Sequence, residues 1–432
     1  MLYESFVDNI EANNLISTEN PILACVSGGA DSMTMLHLLM RYYGDNMDKI
    51  MVAHLNHNLR GDDSYRDENF VRKFCEKNNL NFFSESLDIK TLASEQGISI
   101  EDCGRKYRYK FFRSISSKHE NCKIALAHNL DDQAETVLMR IIRGTGVDGL
   151  IGIKESDGDL VRPLLKISRE DIEKYIAEND IDFVQDMTNF ENDYTRNKLR
   201  NELIPSIESI YNPSFKKALL KLSNLASNDV QLKNKYTDDL FNKALIKENQ
   251  YIIYLDGYQL SQMKDYEQSE ILRKSIEKIN GDVYGFDYTH IEEFKKIINS
   301  HTGKEMTIQN IVVSLSYGNL LIFKKQRNDL DVNIFANEDI EVAINGYKVC
   351  LHGQQVKFII RKRKDGDKLY IKGKYKKLKD FLIDKKIDKI FRDYIPIVEV
   401  DGEILAVGDM YINNNLSSKY GIKAYVNGGI YV

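Results

Sequence analysis

The sequence predicts an α/β protein with an N-terminal doubly wound parallel sheet, followed by a mainly helical domain and a small α+β C-terminal domain. Two observations predict the sheet: short apolar runs alternate with amphipathic helical patterns up to about residue 165, and each apolar run ends at polar residues. The predicted strands are residues 22–26, 50–55, 81–86 and 123–127. Ser27, Asn56 and His128 then lie at the carboxyl ends of strands, where open α/β sheets place their ligands.

The chain is long enough for several domains, and its pattern changes twice. Residues 1–212 contain the predicted sheet. Residues 213–330 show mainly helical periodicity, with two strand-like runs at 306–315 and 320–324. The polar, acidic stretch 326–341 is predicted to be a linker, and residues 340–432 form a basic module rich in short strands.

Composition excludes several classes of protein. Hydrophobic residues make up 42% and charged residues 29%, with a formal net charge of −5, so no general attraction to nucleic acid is expected. No apolar run could span a bilayer, and the acidic N-terminus lacks the basic start of a signal peptide. The five scattered cysteines include no Cys-x-x-Cys pair, which argues against a disulfide framework, a zinc ribbon or an iron–sulfur site. We expect a cytoplasmic protein with no membrane partner.

One segment departs from the acidic balance of the chain. Residues 357–393 contain 15 Lys or Arg and 6 Asp, a local net charge of +9. Such a cluster suits the phosphate backbone of a nucleic acid, and the alternative is a solvated basic face.

A glycine turn follows the first predicted strand. Residues 27–32 read Ser-Gly-Gly-Ala-Asp-Ser and precede a helical run. The turn places backbone N–H groups, the hydroxyls of Ser27 and Ser32 and the positive end of a helix around one point, which suits phosphate. Gly28 and Gly29 allow the backbone to approach an anion closely, because no Cβ intervenes. The sequence therefore predicts a nucleotide site here.

Asp31 is the unexpected member of this turn. A carboxylate beside phosphate oxygens is repulsive unless a divalent cation lies between them or the carboxylate caps the helix. Mg²⁺ is usually held by one or two carboxylates together with substrate phosphates. Asp31 is thus either a magnesium ligand or an N-cap.

A second polar cluster follows the strand at 123–127. His128 lies at the strand end, and Asp131, Asp132 and Glu135 lie within one turn at the start of the next helix. Three carboxylates there can cap the helix, bind Mg²⁺ or hold a cationic substrate. Because the cluster shares the sheet edge with the glycine turn, a functional site is favoured.

Arginines on two further helices are candidates for the same site. Arg108 lies on one amphipathic helix, and Arg196 and Arg200 lie on another. The planar guanidinium binds oxygen pairs in bidentate fashion, so these residues could contact phosphate or a nucleobase. The alternative is solvated charge on a helix surface.

The glycine turn 27–32 and the segment 128–135 together resemble the PP-loop ATP pyrophosphatases. Within that superfamily the chain is similar to the bacterial tRNA(Ile)-lysidine synthetases over nearly its whole length. The further matching segments are 53–60, 101–112, 127–152, 189–205, 361–368 and 376–380.

The resemblance implies a two-step ligation with ATP and Mg²⁺. The C2 oxygen of the wobble cytidine, in an isoleucine tRNA with a CAU anticodon, attacks the α-phosphate of ATP and releases pyrophosphate. The ε-amine of free L-lysine then displaces AMP and gives lysidine. The basic module 340–432 is expected to grip the tRNA, and the oligomeric state stays open, a homodimer included.

The resemblance also implies roles for individual residues. The expected ATP-binding residues are Ser27, Gly28, Gly29, Ala30, Asp31 and Ser32, with Asp31 also the metal ligand. The expected catalytic residues are Asp31, Arg108 and His128, and His128 would orient the amine or carry its proton. Asp132 and Glu135 are expected to bind lysine, and Arg200 to contact the nucleobase or phosphate.

Two other functions stay open on the sequence. A PP-loop tRNA thiolase would need a sulfur-carrying cysteine or cluster ligands, and the missing Cys-x-x-Cys pair argues against it. A non-catalytic tRNA-binding protein would be expected to lack the acidic or phosphate-loop residues, and all of them are present.

Overall fold

The computed structural model describes residues 2–58, 62–184, 194–325, 330–336, 339–352 and 356–428. It divides into two compact units, Met1–Leu232 and Lys233–Val432. The three predicted domains stay a prediction. Parts of the predicted linker (326–329 and 337–338), of the matching segments (59–60 and 189–193) and of the C-terminal module (353–355 and 429–432) lie outside the described residues.

The first unit contains one sheet and most of the long helices. Its strands are β1 (Ile22–Cys25), β2 (Ile50–Asn56), β3 (Asn81–Ser86), β4 (Lys123–Ala125), β5 (Ser156–Asp157) and β6 (Leu160–Val161). Its helices are α1 (Leu2–Ala12), α2 (Ala30–Tyr43), α3 (Asp62–Lys77), α4 (Ile89–Gln96), α5 (Ile100–Ser116), α6 (Leu130–Arg143), α7 (Val147–Leu150), α8 (Arg169–Glu178), α9 (Tyr194–Lys198), α10 (Ile204–Ile210) and α11 (Phe215–Ala244), which continues into the second unit. A 3-10 helix (Gly44–Lys49) and a π-helix (Leu199–Leu203) complete the unit.

The sheet has the strand order β3-β2-β1-β4-β6-β5 and is parallel except for β5. This confirms the predicted α/β fold class. The four predicted strands are present, although β4 ends two residues earlier than predicted. The β5–β6 hairpin was not predicted, because two-residue strands carry no readable periodicity.

Helices cover both faces of this sheet. Alternate residues of β1 point to opposite sides, so Ala24 packs in a core with α1, α2 and α8, whereas Leu23 packs in a core with α5. Burial on both faces explains why the central strands read as continuous apolar runs. The polar residues that follow the strands are thereby left at the carboxyl edge.

In its described residues the second unit contains four sheets. Its strands are β7 (Leu245–Glu248), β8 (Ile252–Asp256), β9 (Glu305–Ile308), β10 (Ile311–Ser316), β11 (Asn319–Lys324), β12 (Asp331–Ala336), β13 (Ile340–Ile344), β14 (Tyr347–His352), β15 (Val356–Arg361), β16 (Lys368–Ile371), β17 (Lys374–Lys377), β18 (Ile397–Val400), β19 (Glu403–Val407), β20 (Tyr411–Ile412) and β21 (Lys423–Gly428). The four sheets have the strand orders β7-β8-β11-β10-β9, β12-β15-β18-β19-β20, β13-β14-β21 and β16-β17. Its helices are α12 (Gly257–Gln262), α13 (Asp265–Asn280), α14 (Tyr288–Ile298), α15 (Leu378–Asp384), α16 (Asn414–Tyr420) and a 3-10 helix (Lys389–Tyr394).

The region predicted as mainly helical also holds a five-stranded sheet of order β7-β8-β11-β10-β9. Strands β7 and β8 were not predicted, because a short apolar run does not distinguish a strand from a buried helical segment. The single predicted run 306–315 is a hairpin, β9 and β10, whose turn contains Gln309 at φ 54°. One face of the sheet packs on α13 and α14.

The linker prediction for residues 326–341 is wrong over Asp331–Ala336, which forms β12, and over residues 340–341, with which β13 begins. This strand pairs antiparallel with β15, with Val332 opposite Ile360. Leu330, Val332 and Ile334 recur at a spacing of two and pack on the C-terminal core. The intervening polar residues hid that alternation in the sequence.

No helix in the described part of the chain is long and apolar enough to cross a membrane. The five cysteines are free, and four of them are buried.

Candidate active site

The predicted site residues meet at one edge of the first sheet, between β1 and β4. The chain continues from β1 to β2 and β3 on one side, whereas β4 pairs with β1 on the other side. The strand order therefore reverses between β1 and β4, which is where open α/β sheets bind ligands. The glycine turn follows β1, and the segment 128–135 follows β4.

The glycine turn is a compact loop at the start of α2. Gly28 has φ +93°, which glycine adopts without strain, and Gly29 is the N-cap residue of the helix. The Ser32 hydroxyl donates to the Gly29 carbonyl at 2.9 Å and lies 3.2 Å from the Ser27 hydroxyl. The N-cap position makes no side-chain hydrogen bond to the helix, so its first N–H groups remain for an anion.

Asp31 does not cap the helix, so the N-cap alternative is wrong. Its carboxylate accepts from the side-chain amide of Asn129 at 3.2 Å and from Nη1 of Arg169 at 2.6 Å. Burial raises the pKa of Asp31, and although Arg169 opposes the rise, the nearby charge of Asp132 adds to it. Asp31 therefore faces the segment 128–135 across the switch point, the place between β1 and β4 where the strand order reverses.

Asn129 joins the two segments and was not predicted. It is the N-cap of α6, where its side chain accepts from the Asp132 N–H at 3.0 Å while Asp132 Oδ2 accepts from the Asn129 N–H at 3.0 Å. Asp132 thus also caps the helix, one of the predicted alternatives. Asp131 is used structurally, since it accepts from the backbone N–H of Arg169 and from Lys216.

Glu135 forms a forked ion pair with Arg200. Nε of Arg200 donates to Glu135 Oε1 at 2.5 Å, and Nη2 donates to Oε2 at 3.2 Å. Nη2 also reaches Asp132 Oδ1 at 3.3 Å. Burial raises the pKa of both Asp132 and Glu135, and the Arg200 guanidinium opposes that rise. The structure therefore brings all three residues together.

His128 lies among arginines on the side of the sheet that α5 covers. Its Nδ1 is buried and has no hydrogen-bond partner among the described residues. Burial lowers the pKa of His128 to about 4, helped by the charges of Arg162, Arg105 and Arg108. The imidazole is neutral at pH 7, which favours the orienting role over the carriage of a proton.

Arg108 lies on α5 and contacts a second histidine. Its Nη2 lies 3.2 Å from Nε2 of His57. Burial lowers the pKa of His57 to about 4, and Arg108 and His54 add to the shift. A neutral His57 accepts this hydrogen bond and orients the guanidinium.

Two arginines of the site were missed by the sequence analysis. Arg162 directly follows β6 and is only 5% exposed; its Nη1 donates to the Lys154 carbonyl at 2.6 Å, and its Nε has no partner among the described residues. Arg169 opens α8 and pairs with Asp31. The position of Arg162 after a strand could have identified it, but β6 itself was not predicted.

Two protein families match this chain, one in each of its two compact units. A PP-loop domain family matches residues 2–207, and the TilS substrate C-terminal domain matches residues 358–425. The tRNA(Ile)-lysidine synthase of Clostridium tetani is 35% identical over 92% of this chain and 91% of its own. The chain belongs to the tRNA(Ile)-lysidine synthase family.

Other relatives agree over similar lengths. The tRNA(Ile)-lysidine synthase of Clostridium perfringens is 33% identical and covers 96% of this chain and 95% of its own. Among solved structures, the U34-tRNA thiolase NcsA of Methanococcus maripaludis, with its [4Fe-4S] cluster, is 20% identical at a TM-score of 0.44 and covers 52% of this chain and 80% of that one. The curated relatives confirm the predicted family, while the roles of individual site residues stay predictions.

Proposed function

We propose that this protein uses ATP to attach lysine to C2 of the wobble cytidine of an isoleucine tRNA with a CAU anticodon, forming lysidine. One observation carries the proposal: a phosphate-binding turn and a pair of carboxylates meet at the switch point, joined by the Asn129–Asp31 hydrogen bond of 3.2 Å. Ligation of lysine, an amino acid with two ammonium groups, to an adenylated base needs both a phosphate site and a site for a cation. The family of the chain supports the same reaction.

In the first step, the turn 27–32 binds the phosphates of ATP through its backbone N–H groups. The C2 oxygen of cytidine attacks the α-phosphorus, and the bond to the β-phosphate oxygen breaks. The helix N-terminus stabilises the charge that grows on the departing pyrophosphate. Arg108, oriented by His57, is placed to contact the phosphate or the activated base.

In the second step, the ε-amine of lysine attacks C2 and AMP leaves with the former carbonyl oxygen. Asp132 and Glu135 would bind an ammonium group of lysine and hold the molecule near C2. His128, neutral at pH 7, would orient a reacting group through a hydrogen bond. The ε-ammonium loses a proton before the attack, since only the free amine carries a lone pair, and the nitrogen releases a further proton to solvent once the C–N bond has formed.

Asp31 is suited to be one of a small number of protein ligands to a magnesium ion. Asp132 lies close enough to raise the pKa of Asp31, and such neighbouring carboxylates suit a divalent cation held mainly by ATP phosphates. Among the described residues, no group of three His, Cys, Asp or Glu could hold a metal by itself. Bound beside Asp31, Mg²⁺ would neutralise phosphate charge during pyrophosphate release.

The C-terminal module would grip the tRNA through its exposed lysines. Part of the +9 charge of residues 357–393 is internally paired: Arg361 is buried against Asp367 and Glu399, and Arg363 pairs with Asp393. Most of the remaining charge is carried by exposed lysines, namely Lys357, Lys364, Lys368, Lys372, Lys374, Lys377, Lys379, Lys385, Lys386 and Lys389. We assign the phosphate contacts to these side chains.

The test incubates the protein with Mg-ATP, labelled L-lysine and the CAU-anticodon isoleucine tRNA. One AMP and one pyrophosphate should form for each lysine incorporated. The same tRNA with uridine in place of the wobble cytidine is the control and should remain unlabelled. Absence of label from the cytidine tRNA, under conditions where ATP binds, would overturn the proposal.

A further inference from the structure

Arg200 occupies the two carboxylates that the proposed function assigns to lysine. Its Nε and Nη2 take both oxygens of Glu135, at 2.5 and 3.2 Å, and Nη2 also takes Asp132 Oδ1 at 3.3 Å. The fourth oxygen, Asp132 Oδ2, accepts from the backbone N–H of Asn129. Every carboxylate oxygen of the pair therefore has a donor from the chain itself.

An ammonium group that enters this pair competes with these donors for the lone pairs of the same four oxygens. The Asn129 bond belongs to the capping box of α6, so its loss would unravel the start of the helix. The Arg200 contacts are not part of the capping box of α6. Arg200 is therefore the donor that can leave.

We propose that Arg200 is an internal competitor for lysine, whose guanidinium holds Asp132 and Glu135 until the lysine ammonium displaces it. This inference rests on the proposed function and adds a determinant of lysine affinity to it. The same displacement frees the Nε and Nη2 donors of Arg200, which bind Glu135 and Asp132 in this structure, for the oxygens of an anion. Lysine entry and the arginine contact to the activated phosphate are thereby coupled.

The surroundings of Arg200 suit such a movement. The Arg200 side chain is 42% exposed, whereas that of Glu135 is 1% exposed, so the arginine can swing into solvent while the carboxylate stays. Arg200 lies on the single-turn π-helix Leu199–Leu203, a feature frequent at functional sites. Leu199 is packed against Val137 and Leu219, which anchors the backbone while the side chain moves.

Glu135 keeps a second cation nearby when Arg200 leaves. Nε of Arg196 lies 3.9 Å from Glu135 Oε2. A buried carboxylate without any cation is costly, and Arg196 together with the lysine ammonium would compensate its charge. The exchange therefore replaces one cation by another.

The alternative role for Arg200 is a fixed one, in which its guanidinium stays on both carboxylates and orients them for lysine. The two roles predict opposite effects of Arg200→Gln on lysine binding. For a competitor, removal leaves the pair vacant for more of the time, and the dissociation constant for lysine falls by about tenfold. If Arg200 has the fixed role, Arg200→Gln raises the dissociation constant for lysine.

The experiment measures labelled L-lysine binding by equilibrium dialysis for wild type, Arg200→Gln and Arg200→Lys. Arg143→Gln, an exposed arginine at the end of α6, is the matched control and should bind lysine as wild type does. Arg200→Lys keeps the charge without the fork and should give an intermediate affinity. Lysidine formation by Arg200→Gln should show a lower KM for lysine together with a lower kcat, because the anion contact is lost.

A second measurement separates competition from altered folding. Low-millimolar guanidinium chloride should weaken lysine binding to Arg200→Gln, because the free ion refills the vacated site, while equal NaCl does not. Weaker lysine binding by both Arg200 variants, or no guanidinium effect, would overturn the inference. Failure of wild type to label the tRNA would instead overturn the proposed function, so the two failures are distinguishable.

Discussion

At the scale of single residues, Gly28 sets the shape of the glycine turn 27–32. Its φ of +93° is a conformation that residues with a Cβ adopt at a cost. Gly28→Ala should lower the free energy of unfolding by about 1–2 kcal/mol and weaken ATP binding. Urea unfolding followed by circular dichroism, with ATP titration of the folded variant, measures both.

The neighbouring glycine provides the control for this prediction. Gly29 has φ −73°, and a Cβ built there would lie 3.5 Å from the Ser27 hydroxyl, an ordinary contact. Gly29→Ala should leave the unfolding free energy within about 0.5 kcal/mol of wild type. Equal loss of stability in both variants would show that backbone conformation is not what requires Gly28.

His128 should remain neutral well below its ordinary titration range. Its pKa of about 4 lies below the ordinary value of 6.5, so the unfolded chain binds the proton more tightly than the folded one. His128 therefore does not lower the free energy of unfolding above pH 6.5, and it lowers that free energy progressively as pH falls from 6.5 towards 4. NMR titration of ring-labelled histidine, with His128 assigned by His128→Gln, should show a midpoint near 4.

Arg162 provides a comparison for that titration. It is the first of the arginine charges that lower the pKa of His128, after burial itself. Arg162→Met should therefore raise the NMR midpoint, because a positive charge no longer opposes protonation. A wild-type midpoint above 6, or one unmoved by Arg162→Met, contradicts this account of the site.

Residues of the site differ in how well they could be predicted. Asp31, Asp132, Glu135 and Arg200 belong to local patterns after predicted strands or on helices, and the structure brings them together. His128 follows β4 as predicted and lies among arginines. Their partners depend on tertiary placement. Arg169 reaches Asp31 from α8, more than 130 positions along the chain, and no local pattern indicates such a pairing.

At the scale of elements, Gln133 ties helix α6 to its surroundings. Its side-chain amide donates to the Ile151 carbonyl at 2.9 Å and to the Ser223 hydroxyl at 2.7 Å, and its oxygen accepts from the Ile153 N–H at 2.6 Å. Gln133→Met leaves the Ile153 N–H without its acceptor, whereas the Ser223 hydroxyl and the Ile151 carbonyl keep their own hydrogen bond of 2.6 Å, so the unfolding free energy should fall by about 1–3 kcal/mol. Urea unfolding measures the loss.

An exposed glutamine is the control for the effect on α6. Gln259→Met, on α12, should change the unfolding free energy by less than about 0.5 kcal/mol. Because α6 carries Asp132 and Glu135, Gln133→Met should also raise the KM for lysine. A Gln133 variant as stable as the Gln259 variant would show that this hydrogen-bond network does not fix the helix.

Elements were predictable where periodicity extended over enough residues. The strands β1 to β4 were predicted because apolar runs are flanked by polar turns and separated by helices. Strand β12 was missed because its alternating Leu330, Val332 and Ile334 stand among acidic and amide residues. Its pairing with β15 and burial of Leu330 decide the outcome, and neither is local in sequence.

At the scale of the whole molecule, the second unit packs the 3-10 helix Lys389–Tyr394 against the sheet that contains β8, β10 and β11. Phe391, on the 3-10 helix Lys389–Tyr394, packs on Phe323 with ring centroids 5.0 Å apart. Asp388 accepts from the hydroxyls of Tyr254 and Ser316. Deleting residues 340–432 would uncover this face, so surface substitutions test tRNA binding more cleanly than truncation.

The lysines of the β16–β17 hairpin should contribute directly to tRNA binding. Lys372, Lys374 and Lys377 are exposed, and Tyr375 beside them is 67% exposed. Replacing the three lysines by Gln should weaken binding of the isoleucine tRNA and lower the slope of log affinity against log salt by about 2–3, because each phosphate contact releases roughly 0.7–0.9 counterions.

Three exposed lysines elsewhere in the second unit separate local contact from general charge. Lys235, Lys304 and Lys325 carry the same total charge as the hairpin set and lie outside the C-terminal module. Replacing them by Gln changes net charge equally, so a purely global electrostatic attraction predicts equal losses in both triple variants. A direct hairpin contact predicts a larger slope change for the hairpin set, measured by filter binding between low and physiological salt. Equal slope changes in the two triple variants would show that the hairpin lysines make no direct contact with the tRNA.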